Sequence, residues 1–135
     1  ASMVDVARSH CPGASFQVMD CREINTFDQK FDGILLSFCI PYLDKKETVR
    51  LLQDSASLLN SPGLIYLSAI EGDPDLSGYK PGRDGDRIFL NYYDCQLLHD
   101  QLASCGLTIL DSERKPYEEN GETMQELFLI ATNQP

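Results

Sequence analysis

The chain has 135 residues and a formal net charge of −10, with 42% hydrophobic and 24% charged residues. This length fits a single domain, residues 1–135, around one hydrophobic core. The composition is typical of a globular protein and excludes a disordered or fibrous chain. An acidic surface repels nucleic acids and anionic membranes, and no apolar run approaches the roughly 20 residues of a membrane span. We therefore expect a cytoplasmic protein with no nucleic-acid or membrane partner.

The cysteine pattern gives no sign of a metal site or a disulfide framework. There are five cysteines, an odd number, and no two of them form a C-x-x-C pair. The two histidines, His10 and His99, are not clustered with cysteines, whereas zinc sites need grouped ligands. Free thiols in a reducing compartment are the simplest interpretation, and no metal is expected.

The first third of the chain predicts one helix and two strands. Residues 3–10 have the pattern of a helix end, and Cys11-Pro12-Gly13 stops it. Residues 15–19 alternate apolar and polar side chains and predict a short strand that ends at Asp20. Residues 31–40, FDGILLSFCI, are nearly all apolar, which is typical of a parallel strand buried on both faces.

The middle of the chain predicts a capped helix, a buried strand and a long loop. Asp44 and Glu47 have the spacing of a capping box, and apolar side chains then recur at helical intervals as far as Leu59. A break at residues 60–63 precedes a strand over residues 64–70. Residues 71–86 contain many glycines, prolines and acids, which predicts a loop of the length that often acts as a lid.

The last part predicts a short extended piece over residues 87–92, one more helix and two strands. Asp94 begins the helix, and Gly106 ends it. Strands are predicted over residues 107–110 and 124–132, with a turn at Asn120-Gly121 between them. Strands that alternate with helices indicate an α/β fold with a mostly parallel sheet and helices on both faces, and two consecutive strands at the end make the final one antiparallel.

Several segments, in this order, resemble class I S-adenosylmethionine-dependent methyltransferases. Phe31-Asp32 resembles the "FD" that opens the fourth strand of that family. Residues 58–64, LLNSPGL, resemble its Pro-Gly turn into the fifth strand, and Gly106-Leu107 resembles the "GF" that enters the sixth. The resemblance implies a Rossmann-like methyltransferase sheet with the strand order 3-2-1-4-5-7-6.

The resemblance also implies that the chain is truncated at its N-terminus. No G-x-G-x-G occurs in the sequence, so the glycine-rich cofactor loop has no counterpart, and the first two strands would precede Ala1. The strands that border this gap would have unpaired edges. We expect that a missing N-terminal segment or a second copy, in a homodimer, completes the sheet, or that the first short strand moves.

The resemblance places five residues at the cofactor. Asp20 would accept a hydrogen bond from the adenine amino group, with the Cys21 backbone N–H beside it. Ser37 and Phe38 would lie near the methionine part, and Met3, with Ser2 next to it, near the ribose and adenine. The alternatives are a loop-capping role for Asp20, core packing for Phe38 and gap filling by Met3.

A substrate pocket is expected around the long loop. The candidates are aromatic and basic side chains in or beside it, namely Tyr42, Tyr92, Tyr93 and Arg87, with Tyr79 and Arg83. The alternative is ordinary packing of a surface loop. No catalytic residue is identified, because methyl transfer depends mainly on alignment in a dry pocket.

The sequence therefore predicts S-adenosylmethionine-dependent methyl transfer to a small-molecule acceptor, by an enzyme of which this chain alone is not cofactor-competent. The alternative is a non-catalytic domain of the same fold that dimerises through exposed strand edges. A Rossmann-like dehydrogenase is a third possibility. The glycine fingerprint of such dehydrogenases is also missing from this sequence, and a dehydrogenase fold does not account for the Pro-Gly turn or for an antiparallel final strand.

Overall fold

The computed structural model describes residues 2–82, 84–119 and 121–135. The described helices are α1 (Ser2–His10), α2 (Lys45–Ser57) and α3 (Cys95–Ser104), with 3-10 turns at Cys21–Thr26, Ile40–Tyr42 and Pro74–Leu76. The described strands are β1 (Phe31–Leu36), β2 (Leu59–Glu71), β3 (Gly78–Pro81), β4 (Arg87–Leu90), β5 (Thr108–Glu119) and β6 (Glu122–Thr132).

Four of these strands form one sheet in the order β1-β2-β6-β5. The strands β1 and β2 are parallel, and β6 is antiparallel to both of its neighbours, β2 and β5. Three strands therefore run in one direction and one against them, as the sequence predicted. This order corresponds to the last four positions of the order 3-2-1-4-5-7-6. A separate antiparallel hairpin, β3–β4, stands apart from the sheet.

The hydrophobic core lies on one face of the sheet. Leu67 and Leu129 are paired across β2 and β6 and are almost completely buried. They pack with apolar side chains of α2 and α3, among them Leu51, Leu52, Leu98 and Leu102. Both helices thus cover the same face, which buries their apolar sides from water. None of the described helices is long and apolar enough to cross a membrane.

The opposite face of the sheet is partly exposed. Leu35 on β1 is 73% exposed and Leu64 on β2 is 48% exposed. The rings of Tyr66 and Phe128 stack between neighbouring strands, with their centroids 6.2 Å apart. Strand β1 is also an edge strand of the sheet, so its outer edge has no partner strand among the described residues.

The helix boundaries follow the capping signals in the sequence. The Asp44 side chain accepts a hydrogen bond from the Glu47 N–H, and the Glu47 carboxylate accepts one from the Asp44 N–H, as in a capping box. The Asp94 carboxylate accepts from Gln96 N–H at the start of α3. Gly106, with φ +79°, turns the chain out of α3, a conformation that favours glycine.

Four predicted segments are wrong. The predicted break at residues 60–63 lies within β2, which begins at Leu59 and pairs there with Phe31 of β1. Residues 15–19 are not a strand, because a strand needs a neighbouring edge to bond its backbone, and among the described residues this segment has none. The loop over residues 71–86 contains β3, which pairs with β4. The predicted connection over residues 115–121 is mostly strand, because β5 extends to Glu119 along β6. Asn120 of the predicted turn lies outside the described residues, and Gly121 has φ +78°.

Strand β5 contains a bulge between Ile109 and Asp111. Ile109 lies opposite Ala131, whose side chain is in the core. Beyond the bulge, Tyr117 lies opposite Met124, two residues from Glu126 along β6. Since side chains alternate along a strand, Tyr117 and Glu126 are on the same face of the sheet, opposite to the core.

Candidate functional site

A cavity of about 190 Å³ lies at the carboxyl ends of β1 and β2. The sheet forms one wall with side chains of β2 and β6, namely Ser68, Ile70 and Glu126. The β3–β4 hairpin forms the facing wall with Lys80, Pro81, Ile88 and Leu90. Aromatic rings complete the lining: Phe38, Tyr42 and Tyr117. Mostly apolar walls with a few polar groups are typical of small-molecule sites.

Phe38 enters the cavity from a strained backbone. Its φ is +57°, in the left-handed region that a non-glycine residue rarely adopts. Its N–H donates a hydrogen bond to Ser68 Oγ at 3.0 Å, and Ser68 is 2% exposed. Such strain is of the order of 1 kcal/mol and tends to occur at functional positions. Phe38 itself is 59% exposed, so its ring is available to a ligand.

Backbone hydrogen bonds attach the base of the β3–β4 hairpin to the sheet. The N–H of Asn91 donates to the Pro41 carbonyl at 2.8 Å. The N–H of Tyr93 donates to the Ile70 carbonyl at 2.9 Å, and that of Gly72 to the Tyr93 carbonyl at 3.1 Å. The predicted lid is therefore an ordered hairpin whose two ends are held at the carboxyl end of β2.

Tyr93, a predicted substrate residue, belongs to the core and does not line the cavity. Its side chain is 3% exposed, and its hydroxyl donates to the Leu43 carbonyl at 2.6 Å and lies 2.7 Å from Thr48 Oγ1. Burial raises the pKa of this hydroxyl. Tyr93 thus connects the end of the hairpin to α2.

The other predicted substrate residues are in different places. Tyr42 lines the cavity. Tyr92 is 6% exposed and lines an adjoining groove of about 110 Å³. Lys80, Pro81, Leu90 and Glu119 line both this groove and the cavity. Arg87 lies over the Tyr79 ring, 4.6 Å from its centroid, and is not part of the cavity lining. Arg83 lies outside the described residues.

Tyr117 lines the cavity, and the sequence analysis missed it. Its side chain is half-buried, and burial raises its pKa to about 12, with further contributions from the charges of Glu119 and Glu126. The hydroxyl is therefore protonated at neutral pH and can donate a hydrogen bond. Ser68 and Glu126 were missed as well. The alternation along residues 122–132 could have indicated Glu126, because it places Glu126 and Phe128 on the same face of the strand.

Asp20 is held by Arg22. Arg22 Nε donates to both Asp20 oxygens at 3.0 and 3.1 Å, and Arg22 Nη2 donates to Oδ2 at 2.6 Å. The Arg22 backbone N–H also donates to Oδ1 at 2.9 Å, so Asp20 caps the 3-10 turn at Cys21–Thr26. These hydrogen bonds lower the pKa of Asp20 to about 2. Arg22 Nη1 also bonds Glu47 of α2 at 2.9 Å, which fixes the turn against that helix.

The turn at Asp20 and the end of β1 are close together. Cys21 and Cys39 line the same apolar depression beside β1, together with Met19 and Leu36. Burial raises the pKa of both thiols, which makes them poor nucleophiles at neutral pH. The structure thus brings Cys21 near the segment that contains Ser37 and Phe38.

Two predicted cofactor residues have no role that the structure defines. Ser37 is exposed, and its carbonyl accepts a long contact of 3.6 Å from the Cys39 thiol. Met3 on α1 is 84% exposed and does not line the cavity. In the described part of the chain, no group of three or more His, Cys, Asp and Glu side chains could hold a metal ion.

Several solved structures with the same architecture are methyltransferases. An S-adenosylmethionine-dependent methyltransferase from Methanosarcina mazei superposes with a TM-score of 0.77 over 99% of this chain and 78% of its own, at 16% identity. The chain has a class I methyltransferase fold. No protein-family model and no curated protein sequence matches it significantly.

Two further structures with this methyltransferase fold contain ligands. The 1,6-didemethyltoxoflavin-N1-methyltransferase of Burkholderia thailandensis, with bound 1,6-didemethyltoxoflavin and S-adenosylhomocysteine, has a TM-score of 0.61 at 21% identity over 83% of this chain. The magnesium protoporphyrin IX methyltransferase of Synechocystis, with bound S-adenosylmethionine, has a TM-score of 0.64 at 13% identity over 96%. The chain spans 48% and 54% of these two proteins.

Tyr93→Phe is expected to lower the free energy of unfolding by about 1–2 kcal/mol, because the Leu43 carbonyl and the Thr48 hydroxyl lose a buried partner. Urea denaturation followed by circular dichroism measures this change. Tyr79→Phe, at a residue 62% exposed on the hairpin, is the matched control and should leave the stability unchanged. Equal stabilities of the two variants would contradict the structural role of Tyr93.

The ion pair of Asp20 should be visible in its titration. Because the folded-state pKa of Asp20 is about 2, below its ordinary value of 3.8, its contribution to stability is present above pH 3.8 and disappears as the pH falls toward 2. Carbon-13 NMR of the side-chain carboxyl group should find Asp20 still ionised at about pH 3. In Arg22→Gln the midpoint should rise toward the ordinary value, whereas Arg50→Gln should leave it in place. A midpoint that Arg22→Gln does not change would refute the assignment.

Proposed function

We propose that this chain binds the acceptor in S-adenosylmethionine-dependent methyl transfer to a small molecule. The observation that carries this proposal is the cavity at the carboxyl ends of β1 and β2, in a sheet with the methyltransferase fold. Open α/β sheets bind their ligands at this edge, where the strands end and the connecting segments can reach the ligand. The strained Phe38 at the same edge supports a ligand-binding role for the cavity.

The named ligands of two proteins with this fold support the small-molecule class. One of these proteins holds 1,6-didemethyltoxoflavin and S-adenosylhomocysteine, and the other is named for magnesium protoporphyrin IX. The cavity of this chain has a volume in the range of a single aromatic ring with short substituents, and its walls are mostly apolar. We propose that Phe38, Tyr42 and Tyr117 orient the acceptor, with Tyr92 at the adjoining groove.

The residues proposed for the cofactor are Asp20, Cys21, Ser37, Phe38 and Met3, and they fit it incompletely. Both oxygens of Asp20 are already bonded to Arg22, and Met3 is largely exposed. The sequence also contains no G-x-G-x-G. These residues would form one side of a nucleoside site at most. We therefore propose that the chain alone binds the cofactor more weakly than a complete methyltransferase does.

Titration of the chain with S-adenosylhomocysteine tests this function. Calorimetry should detect no binding in the micromolar range, whereas NMR at millimolar ligand should shift the backbone amide signals of Cys21, Ser37 and Phe38. Homocysteine alone should not produce these shifts. Asp20→Asn should reduce them, because a carboxylate is a stronger acceptor than an amide, and Asp28→Asn serves as the control.

Each result of this titration has a clear meaning. Micromolar binding would overturn the incomplete fit. Unchanged signals of Cys21, Ser37 and Phe38 would overturn the position of the cofactor site, and with it the proposed function.

The exposed edge of β1 favours a second candidate, a non-catalytic domain that dimerises through this edge. Leu35 and Leu64 lie beside it on the uncovered face, and unpaired edges with exposed apolar side chains tend to associate. Sedimentation velocity should then show a dimer that Leu35→Lys converts to a monomer. Leu76→Lys, at a residue 65% exposed outside the sheet, should leave it intact. A wild-type chain that is monomeric at all concentrations would eliminate this candidate.

A further inference from the structure

The charges of the cavity come from three side chains. Glu126 on β6 is half-buried, Glu119 at the end of β5 is exposed, and Lys80 lies on the β3–β4 hairpin. None of these three takes part in an ion pair within 4.0 Å in the described part of the chain. Both carboxylates are therefore available to a ligand.

Within the described chain, Lys80 forms no ion pair within 4.0 Å with either carboxylate. Its ammonium group lies over the Tyr92 ring, 5.5 Å from the ring centroid, in a cation–π contact. Lys80 and Glu119 line both the cavity and the adjoining groove, and Glu126 lines the cavity alone. Two carboxylates and one ammonium group therefore border the cavity, which gives its lining a net negative charge.

Tyr117 responds to this negative potential. After burial, the charges of Glu119 and Glu126 are the largest causes that raise the pKa of its hydroxyl. The negative potential that favours the protonated form of Tyr117 also favours a positively charged ligand in the cavity. The rings of Phe38, Tyr42 and Tyr117 add faces on which a cation is stabilised further.

We infer that the cavity binds a small aromatic ligand with a cationic nitrogen, which the Glu126 carboxylate contacts while the ring packs on Phe38 and Tyr42. This inference rests on the proposed acceptor site and names its substrate class. The volume of about 190 Å³ admits one aromatic ring with a short chain. An anionic ligand of the same shape would meet two carboxylates, and a neutral one would leave Glu126 without a partner.

Three phenols of similar size and different charge test the inference. Tyramine is a cation at neutral pH, 4-ethylphenol is neutral and 4-hydroxyphenylacetate is an anion. Each is titrated into the full chain, and the backbone amide signals of Ser68, Ile70 and Glu126 report binding in the cavity. Tyramine should bind about fivefold more tightly than 4-ethylphenol or better, and the anion should bind most weakly.

Variants show whether the preference comes from the cavity. Glu126→Gln should remove most of the advantage of tyramine over 4-ethylphenol. Glu113→Gln removes the same charge from the same face of the sheet, outside the cavity lining, and should keep the advantage. If Glu126→Gln does not give a folded spectrum, Glu119→Gln, at an exposed residue, should reduce the preference in its place.

The inference is overturned if the neutral or anionic phenol binds as tightly as tyramine, if the shifts occur away from Ser68 and Ile70, or if Glu113→Gln weakens tyramine as much as Glu126→Gln does. These titrations contain no cofactor. Failure of the charge preference would therefore leave a positive result with S-adenosylhomocysteine intact. Failure with S-adenosylhomocysteine would leave the aromatic-cation site intact.

Discussion

The hydrogen bond from the Phe38 N–H to Ser68 Oγ depends on the parallel register of β1 and β2. Leu36, the last residue of β1, pairs with Leu67 of β2, so Phe38 reaches the level of Ser68 just as the strand ends. Ser68 is buried, and its hydroxyl provides the acceptor for an N–H that would otherwise lack one. The bond holds Phe38 in its left-handed conformation and so sets one side of the cavity. The β3–β4 hairpin provides another wall of the cavity, next to the sheet edge whose geometry the β1–β2 register defines.

Elements with strong local signals could be predicted from the sequence. The capping box of Asp44 and Glu47 defined the start of α2. The apolar run over residues 31–40 indicated β1, but the strand ends at Leu36 and is not buried on both faces, since Leu35 is 73% exposed. Strand β5 was mostly missed, because nearly all of its side chains are exposed and give no apolar alternation. Its backbone is held instead by hydrogen bonds to β6, and pairing between distant segments leaves little trace in local composition.

The site was only partly predictable for a related reason. Tyr42 and Phe38 follow β1 directly, so their position at the edge of the sheet could be inferred from the sequence. The positions of Tyr117 and Lys80 in the cavity lining depend on how the β5–β6 and β3–β4 hairpins lie relative to each other, which no local pattern specifies. Tyr93 was assigned to the substrate because it follows the long loop. Its hydroxyl has two buried partners, and this satisfies a polar group within the core.

The bulge in β5 determines which residues the cavity contains. One extra residue between Ile109 and Asp111 reverses the alternation of every side chain beyond it. Without the bulge, Tyr117 and Glu119 would point toward the helices, and Pro116 and Glu118 would take their places. The side chains that line the cavity can therefore be exchanged by inserting or deleting a single residue at the bulge, some distance from the cavity. Such a change replaces a whole set of side chains at once and leaves the β2–β6 pairing in the centre of the sheet untouched.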